Sequence, residues 1–518
     1  MSGVELGLAI ASVAGIIERC FNSARLLFRK VKAFQAAEVL VEEAIASVEY
    51  QWMKTTWQLE LLRKVWDRLD ESHRHLHDKS LQVLLRKFED AVLEISRVET
   101  KRSRPPGKLE MFKRKSKYAL LVKDCLDRTL QDLEKWQQIF DPAWFLTVRV
   151  SGSAVDEEFT RADKFRPRGF PAMDSLRDSL REEPQMNTSI FLPQKGLVDA
   201  QRRCIPLSPS ELLERPRSNT LILESAAFDL VGDITTFRKD VRNLAGKLRN
   251  VEPTTFSLLK CAGVVTVKDP KWPMKVQSFG FLFRVPSGMH SPQSLRKILL
   301  ASGQDHSLSA RIRLAKQLAT SVCYVHTLGF VHKNIRPESL LVFNDSVSSL
   351  GSLFLVGFSA FRTADGNTLR RGDLSRSSNL YRHPERQGLH PDANYVMQHD
   401  IYSLGVCLLE MGMWESFVVY GEGGAHSLDP DPQQANIRGY LSEGSGSSTK
   451  DTLTSLARHE LPKRMGDRYT EVVVNCLTCL DKDNLDFGDD SEFQDEDGVL
   501  VAVRYIEKVL LQLESILI

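Results

Sequence analysis

Between residues 48 and 140, apolar side chains recur at alternating spacings of four and three. Val48, Trp52, Thr55, Leu59, Leu62, Trp66 and Leu69 form one such seam, Leu81, Leu84, Phe88, Ala91, Ile95 and Val98 a second, and Val122, Leu126, Thr129, Leu133, Trp136 and Phe140 a third. That alternation keeps one stripe of a helix against a packed neighbour. Val4 to Ile17, apolar and rich in small residues, predicts a further buried helix, so residues 1–150 read as an all-α four-helix bundle. The period is then lost over 151–214, which is rich in Pro, Arg, Asp and Ser and reads as a linker, running into part of a shortened sheet lobe before residue 219. From 215 to 518 strand-like and helix-like runs mix. Thr220–Glu224 and Phe256–Pro286 predict strands, Asp233–Leu248 a helix, and Gln277–Val285 a strand entering a hinge at Pro286, Ser287 and Gly288. Leu314, Leu318, Val322 and Val325 predict a helix, and Val499–Ile518 a last one.

A chain of 518 residues suggests about three domains, or two if one is large and helical. Its 42% hydrophobic and 26% charged residues are those of an ordinary globular protein with sizeable cores. Five of the seven tryptophans precede residue 150, which gives that region its own core. A net charge of +2 excludes whole-chain attraction to nucleic acid. The eight cysteines are scattered without a disulfide framework, which predicts reduced thiols and a cytoplasmic setting. Cys476 and Cys479 form one C-x-x-C, expected as packing on a helix. Val4–Ile17 is shorter than the roughly 20 residues a bilayer span needs. It is preceded by no positive charge, as a signal peptide would be, and Ser2 stands where myristoylation needs Gly.

Two charged stretches interrupt this pattern. Lys101 to Lys117 carries eight basic residues against one acid, with Lys101, Arg102, Arg104, Lys113, Arg114, Lys115 and Lys117 around the helix-breaking Pro105, Pro106 and Gly107. Such a cluster is either a solvated loop or a site for anionic lipid, at about 1 kcal/mol per basic residue near a membrane surface. With Phe112 and Tyr118 the only aromatics there, nucleic acid is not an expected partner. The acidic run Asp481–Gly498 has Leu485 where a calcium loop needs its third ligand, and reads as a solvated insertion. No metal site is expected.

The most informative stretch is His326 to Val342, H-T-L-G-F-V-H-K-N-I-R-P-E-S-L-L-V. It resembles the catalytic loop of eukaryotic protein kinases, H-R-D-L-x-x-x-N, between an apolar helix and an apolar strand. Further landmarks follow in the family's order. Leu353–Val356 leads into Gly357, Phe358, Ser359 where the family has D-F-G. Tyr381–Glu385 resembles the A-P-E segment, and Asp400–Gly405 the start of the long central helix. The resemblance implies a bilobal α+β kinase-like domain, with an N-lobe near 215–288 and a C-lobe near 289–518. His332, Phe358, Glu385 and Asp400 match its structural positions.

The positions that carry the family's chemistry differ. Asn334 replaces the Asp that takes the hydroxyl proton, and a carboxamide is not basic at neutral pH, so a contribution of roughly 10²- to 10⁴-fold is forfeited. Ser339 and Gly357 replace the two magnesium ligands, and magnesium needs oxygens in near-octahedral array. No G-x-G-x-x-G lies between Ser151 and Asn219, Ala226 stands where the strand lysine is expected, and Asp233–Leu248 contains no Glu to pair with it. A pseudokinase acting through protein partners, with no cofactor, is the expectation. In the alternative, an atypical ATP-binding serine/threonine kinase, Arg336 would hold a phosphate and Asp345 or Asp365 would supply the base or the metal carboxylate. ATP and magnesium belong to that alternative alone.

The N-terminal stretch M-S-G-V-E-L-G-L-A-I-A-S-V-A-G, followed by long helices, resembles the HeLo and HeLo-like domains of filamentous fungi. This resemblance implies a membrane-directed effector in cell death or incompatibility, peripheral at the plasma membrane on activation and able to self-associate. The order of bundle and degenerate kinase lobe is similar to that of the mixed-lineage kinase domain-like family. A bundle that only assembles oligomers is the third reading.

Overall fold

A computed structural model of the chain describes residues 3–32, 39–102, 111–150, 190–193, 200–214, 220–227, 234–268, 276–301, 306–346, 348–363, 375–420, 435–437, 448–484, 486–487 and 499–516. The chain divides into two compact units, 1–170 and 171–518.

The described part of the first unit is all helical: α1 (Gly3–Lys32), α2 (Val39–Val65), α3 (Glu71–Arg102) and α4 (Met111–Val150). Helix α1 runs well past the apolar stretch that predicts it and buries Val13, Ile17, Cys20, Ala24, Leu27 and Val31, again at spacings of four and three. It packs on α3, and α4 packs on both α2 and α3. The seam that starts at Val48 leaves the α-helix at Trp66–Arg68, a single tighter turn, so Leu69 lies beyond α2. Trp136 is fully buried, and its indole N–H donates to the Ser80 carbonyl at 2.7 Å, tying α4 to α3. The α2–α4 contact is partly polar: Gln58 and Lys54 both bond the Asp141 carboxylate, at 2.8 and 2.9 Å.

The second unit opens with a six-stranded sheet in the order β1-β5-β6-β4-β3-β2. Its strands are β1 (Phe191–Leu192), β2 (Gln201–Cys204), β3 (Ser210–Glu214), β4 (Leu221–Ala227), β5 (Cys261–Lys268) and β6 (Val276–Arg284). All neighbours pair antiparallel except β1 with β5. Residues 201–214, which their composition assigns to a linker, are therefore two strands of this sheet, and a strand also stands at 191–192. Phe256 is not in a strand but ends a short helix, Pro253–Phe256. Helix α5 (Ile234–Arg249) packs on β5 through Val241, Leu244, Ala245 and Leu248.

The chain continues through β7 (His290–Ser294), α6 (Leu295–Leu300), α7 (Leu308–Thr327), β8 (Phe330–Val331), β9 (Leu340–Asn344), β10 (Ser352–Leu355) and β11 (Arg362–Thr363). Strand β9 lies between β10 and β7, and β11 pairs with β8. Helices α8 (Met397–Met413), α9 (Thr449–Met465) and α10 (Asp467–Leu477) follow. Every residue of α8 is buried, as a central helix must be when others cover all its sides. Gly405 and Gly412 permit this: a Cβ at either would lie 2.8 Å from Cys476 or 2.6 Å from Leu461. The final helical stretch, Val499–Glu514, contains a π-turn at Ile506–Leu510.

Candidate functional site

The loop between β8 and β9 carries the candidate residues, and Asp400 at the start of α8 fixes it. Its carboxylate accepts the backbone N–H groups of His332 (2.7 Å) and Lys333 (2.9 Å) and the Tyr395 hydroxyl (2.7 Å), and lies 3.1 Å from His326 Nε2. Burial alone would raise the pKa of this carboxyl. The hydrogen bond and charge of His326 lead the opposing causes and hold it down at about 2. His332 is buried with Nε2 3.0 Å from the Val356 carbonyl and its ring 4.7 Å from that of Phe358. Desolvation keeps it neutral, with its pKa pushed down to about 4. His332, Phe358 and Asp400 are thus brought together in the interior.

Glu385 stands apart, half exposed, with its carboxylate 3.8 Å from His383 and 3.9 Å from His399. These three side chains could converge on a cation. However, His399 Nδ1 accepts the Val396 N–H at 2.9 Å, so the neutral ring carries its proton on Nε2, toward Glu385, where a metal would need a lone pair.

The positions that differ from the kinase motif form one closed knot. Ser339 Oγ donates toward the Asn334 and Arg336 carbonyls (2.7 and 2.8 Å) and accepts the Arg336 N–H (3.1 Å), so this fully buried hydroxyl closes the loop on itself. Asn334 Nδ2 donates to the Gly357 carbonyl at 3.2 Å. Gly357 adopts φ +85°, and a Cβ there would lie 2.7 Å from the Ser339 Cβ.

Strand β4 supplies the residue that reasoning from sequence missed. Ala226 is buried opposite Phe279, but Glu224, two residues earlier on the same face, reaches the turn. Its carboxylate accepts the N–H of Gly357 at 2.9 Å and of Phe358 at 3.1 Å, and Ser210 Oγ donates to its other oxygen at 3.3 Å. Burial dominates its protonation and pushes the pKa up to about 7, against the pull of the two amides. In the kinase template a strand lysine reaches the phosphates. Here an acid, anionic above its pKa, is aimed at that turn.

The alternative chemistry finds little support in place. Arg336 donates to Ser378 Oγ at 3.3 Å, and its charge acts on Glu338. Asp345 closes the β9–β10 hairpin by accepting the Ser348 N–H at 2.8 Å, at the opposite end of β9 from Ser339. Asp365 and Arg104 lie outside the described residues. Lys101 and Arg102 end α3, and Lys113, Arg114, Lys115 and Lys117 fall within α4. Magnesium does not fit this set: Gly357 offers no ligand, the Ser339 hydroxyl is spent on the loop, and both Glu224 oxygens are engaged by protein donors.

Buried beside the loop is a second charged group. Arg296 on α6 donates to Glu338 (3.0 Å) and Glu410 (2.7 Å) and also bonds Tyr381, while Tyr420 donates to Glu338 at 2.7 Å. Arg296 holds the Glu338 carboxyl at about 2 despite its burial. Helix α5 is tied to the core by a cation instead of an acid: Lys247 donates to the Leu328 carbonyl at 2.6 Å.

Part of the chain is similar to known kinases. It is 31% identical over 108 residues to Receptor-interacting serine/threonine-protein kinase 1 of Homo sapiens, covering 20% of this chain and 16% of that protein. It is 25% identical over 167 residues to eIF-2-alpha kinase GCN2 of Homo sapiens, covering 29% and 10%. It is 31% identical over 110 residues to Eukaryotic translation initiation factor 2-alpha kinase 1 of Mus musculus, covering 20% and 17%. The chain carries a kinase-like domain. The matches span less than a fifth of these relatives' own lengths, and no protein-family model matches the chain. Among the described residues, no helix is long and apolar enough to cross a membrane.

Proposed function

We propose that the chain is a catalytically degenerate, kinase-like signalling or scaffold protein, with the kinase-like region (215–518 as read from sequence, here joined by β2 and β3) docking protein partners. One observation carries this reading: Glu224 directs a buried carboxylate at the Gly357–Phe358 turn. It occupies the Gly357 and Phe358 amides that a nucleotide phosphate would need, and above pH 7, where it is ionised, its charge also repels one. Asn334 provides no base, and no cofactor is needed.

The N-terminal helices form the effector in this proposal, a four-helix bundle of HeLo-like type that self-associates or binds anionic membrane through Lys101–Lys117. Cytoplasmic residence is supported by eight cysteines without a disulfide framework; recruitment to the plasma membrane, and an outcome in fungal cell death or incompatibility, follow from the HeLo-like resemblance and have that support alone. An oligomerisation module is the competing role for the helices, and an atypical kinase for the domain.

The deciding experiment is a thermal melt of the full chain with ATP, with ATP plus magnesium, and with neither. A ligand at 100 times its dissociation constant stabilises a fold by about 2.7 kcal/mol, which moves the midpoint by degrees. No shift is expected. A magnesium-dependent shift would overturn the proposal in favour of the atypical kinase.

A further inference from the structure

The sheet has one parallel pairing, and it is made by the shortest strand. Strand β1 contributes only Phe191 and Leu192, against Val264 and Val265 on the edge of β5. An edge strand offers a row of unpaired N–H and C=O groups to any extended segment. Here the Val264 N–H donates to the Ile190 carbonyl at 2.8 Å. The site is shaped for its occupant. Gly263 has no side chain, and a Cβ there would lie 2.6 Å from Leu192 Cδ1 and 3.0 Å from the Ile190 carbonyl. The Phe191 ring lies 6.0 Å from that of Phe279, while the guanidinium groups of Arg238 and Arg242 on α5 stand over it at 4.7 and 5.5 Å. Pro193 has no N–H and stops the pairing after two residues.

We propose that the β5 edge, with Arg238 and Arg242 as its lip, is a strand-addition groove for a short apolar segment centred on phenylalanine. The chain's own residues 190–193 fill it as a displaceable latch. Backbone bonding along the edge provides affinity, and the slot between Phe279 and the two arginines selects the aromatic side chain. The latch also braces α5. From Phe279 the ring contacts continue to Phe237 (5.8 Å) and on to Phe361 (6.2 Å), which touches Phe330 beside the candidate loop.

The test uses the full chain and a fluorescent peptide of residues 187–194, followed by anisotropy, with hydrogen exchange read at the Val264 amide. The wild-type groove is already filled, so little peptide should bind. Phe191→Ala should bind it, exchange the Val264 amide at least tenfold faster, and regain protection when peptide is saturating. A peptide with the phenylalanine replaced by alanine should not bind. Arg238→Ala with Arg242→Ala, both exposed and dispensable for the core, should speed Val264 exchange in an otherwise unchanged chain. If Phe191→Ala melts like wild type yet keeps Val264 protected and binds no peptide, β1 is a fixed part of the sheet and the proposal is overturned. If the Phe191→Ala chain does not fold, unchanged Val264 exchange in the double arginine variant overturns it as well.

Discussion

The Gly357 amide donates to the Glu224 carboxylate at 2.9 Å, joining strand β4 to the turn that follows β10. The Phe358 amide reinforces this at 3.1 Å. Two backbone donors converge on one oxygen of a buried carboxylate, and desolvation outweighs their pull.

This relationship makes stability depend on pH with a definite sign. The folded pKa of Glu224, about 7, lies above its ordinary value of 4.5. The proton is therefore held more tightly in the folded state. The resulting stabilisation is fully present below pH 4.5 and is lost as pH rises through 7, by on the order of 3 kcal/mol. Glu224→Gln keeps an acceptor for the two amides and cannot ionise. The melting midpoint of Glu224→Gln minus that of wild type should grow from pH 5 to pH 8. A difference that stays flat would show that Glu224 titrates normally. Taking the difference also cancels His332, whose depressed pKa gives stability in the opposite direction, lost as pH falls from 6.5 through 4.

Asp400 is a second test, of scaffold instead of chemistry. It accepts two backbone amides and a tyrosine hydroxyl in a fully buried place. Asp400→Asn would turn an NH₂ toward donors that need an acceptor. Breaking one side of a buried charged network costs about 3–5 kcal/mol. Urea denaturation should show a loss of that size at pH 7, and a loss under 1 kcal/mol would mean that the loop is held by other contacts.

The kinase frame was legible because its landmarks are local strings whose residues are each required where they stand: His332 against Phe358, and Asp400 under the loop. The helical seams were legible because burial follows their spacing, from Val48 to Phe140. Strands β2 and β3 were not. All four residues of Gln201–Cys204 are exposed, and without a buried face an edge strand leaves no alternation to read. Glu224 was missed for a related reason. A glutamate ending an apolar run reads as the exposed end of a strand, and only the pairing Glu224 with Phe281, within a sheet covered on that face, reveals that it points inward. Ile222 and Glu224 share a face, and their neighbour Ser225 is exposed. That phase, had the strand been extended to Ala227, was the available signal.

The basic segment allows a prediction about the helices alone. If Lys101–Lys117 recruits anionic membrane, changing Lys113, Arg114 and Lys115 to Glu should abolish flotation of the full chain with phosphatidylserine liposomes and leave its melting curve in place. Raising salt should weaken wild-type binding, since the Debye length falls from about 10 Å at 0.1 M to about 3 Å at 1 M. Equal flotation of both proteins would remove this segment from the effector role.

Restoring the lost metal ligands should not restore a metal site. Asp at 357 requires a Cβ where Ser339 Cβ lies 2.7 Å away and a backbone at φ +85°, which L side chains rarely adopt. Asn at 339 requires a larger side chain in a fully buried position and forfeits the hydroxyl that closes the loop onto Asn334 and Arg336. Left-handed strain of this kind costs about 1–3 kcal/mol, and overpacking a filled interior a similar amount. The double variant Gly357→Asp, Ser339→Asn should therefore melt several degrees below wild type and show no magnesium-dependent recovery by calorimetry or thermal shift. A double variant that binds ATP with magnesium would mean that the knot of Asn334, Ser339, Gly357 and Glu224 yields easily. The proposed degeneracy would then rest on the missing ligands alone, and the 2.7 Å approach of Ser339 Cβ to position 357 would be no barrier to their return.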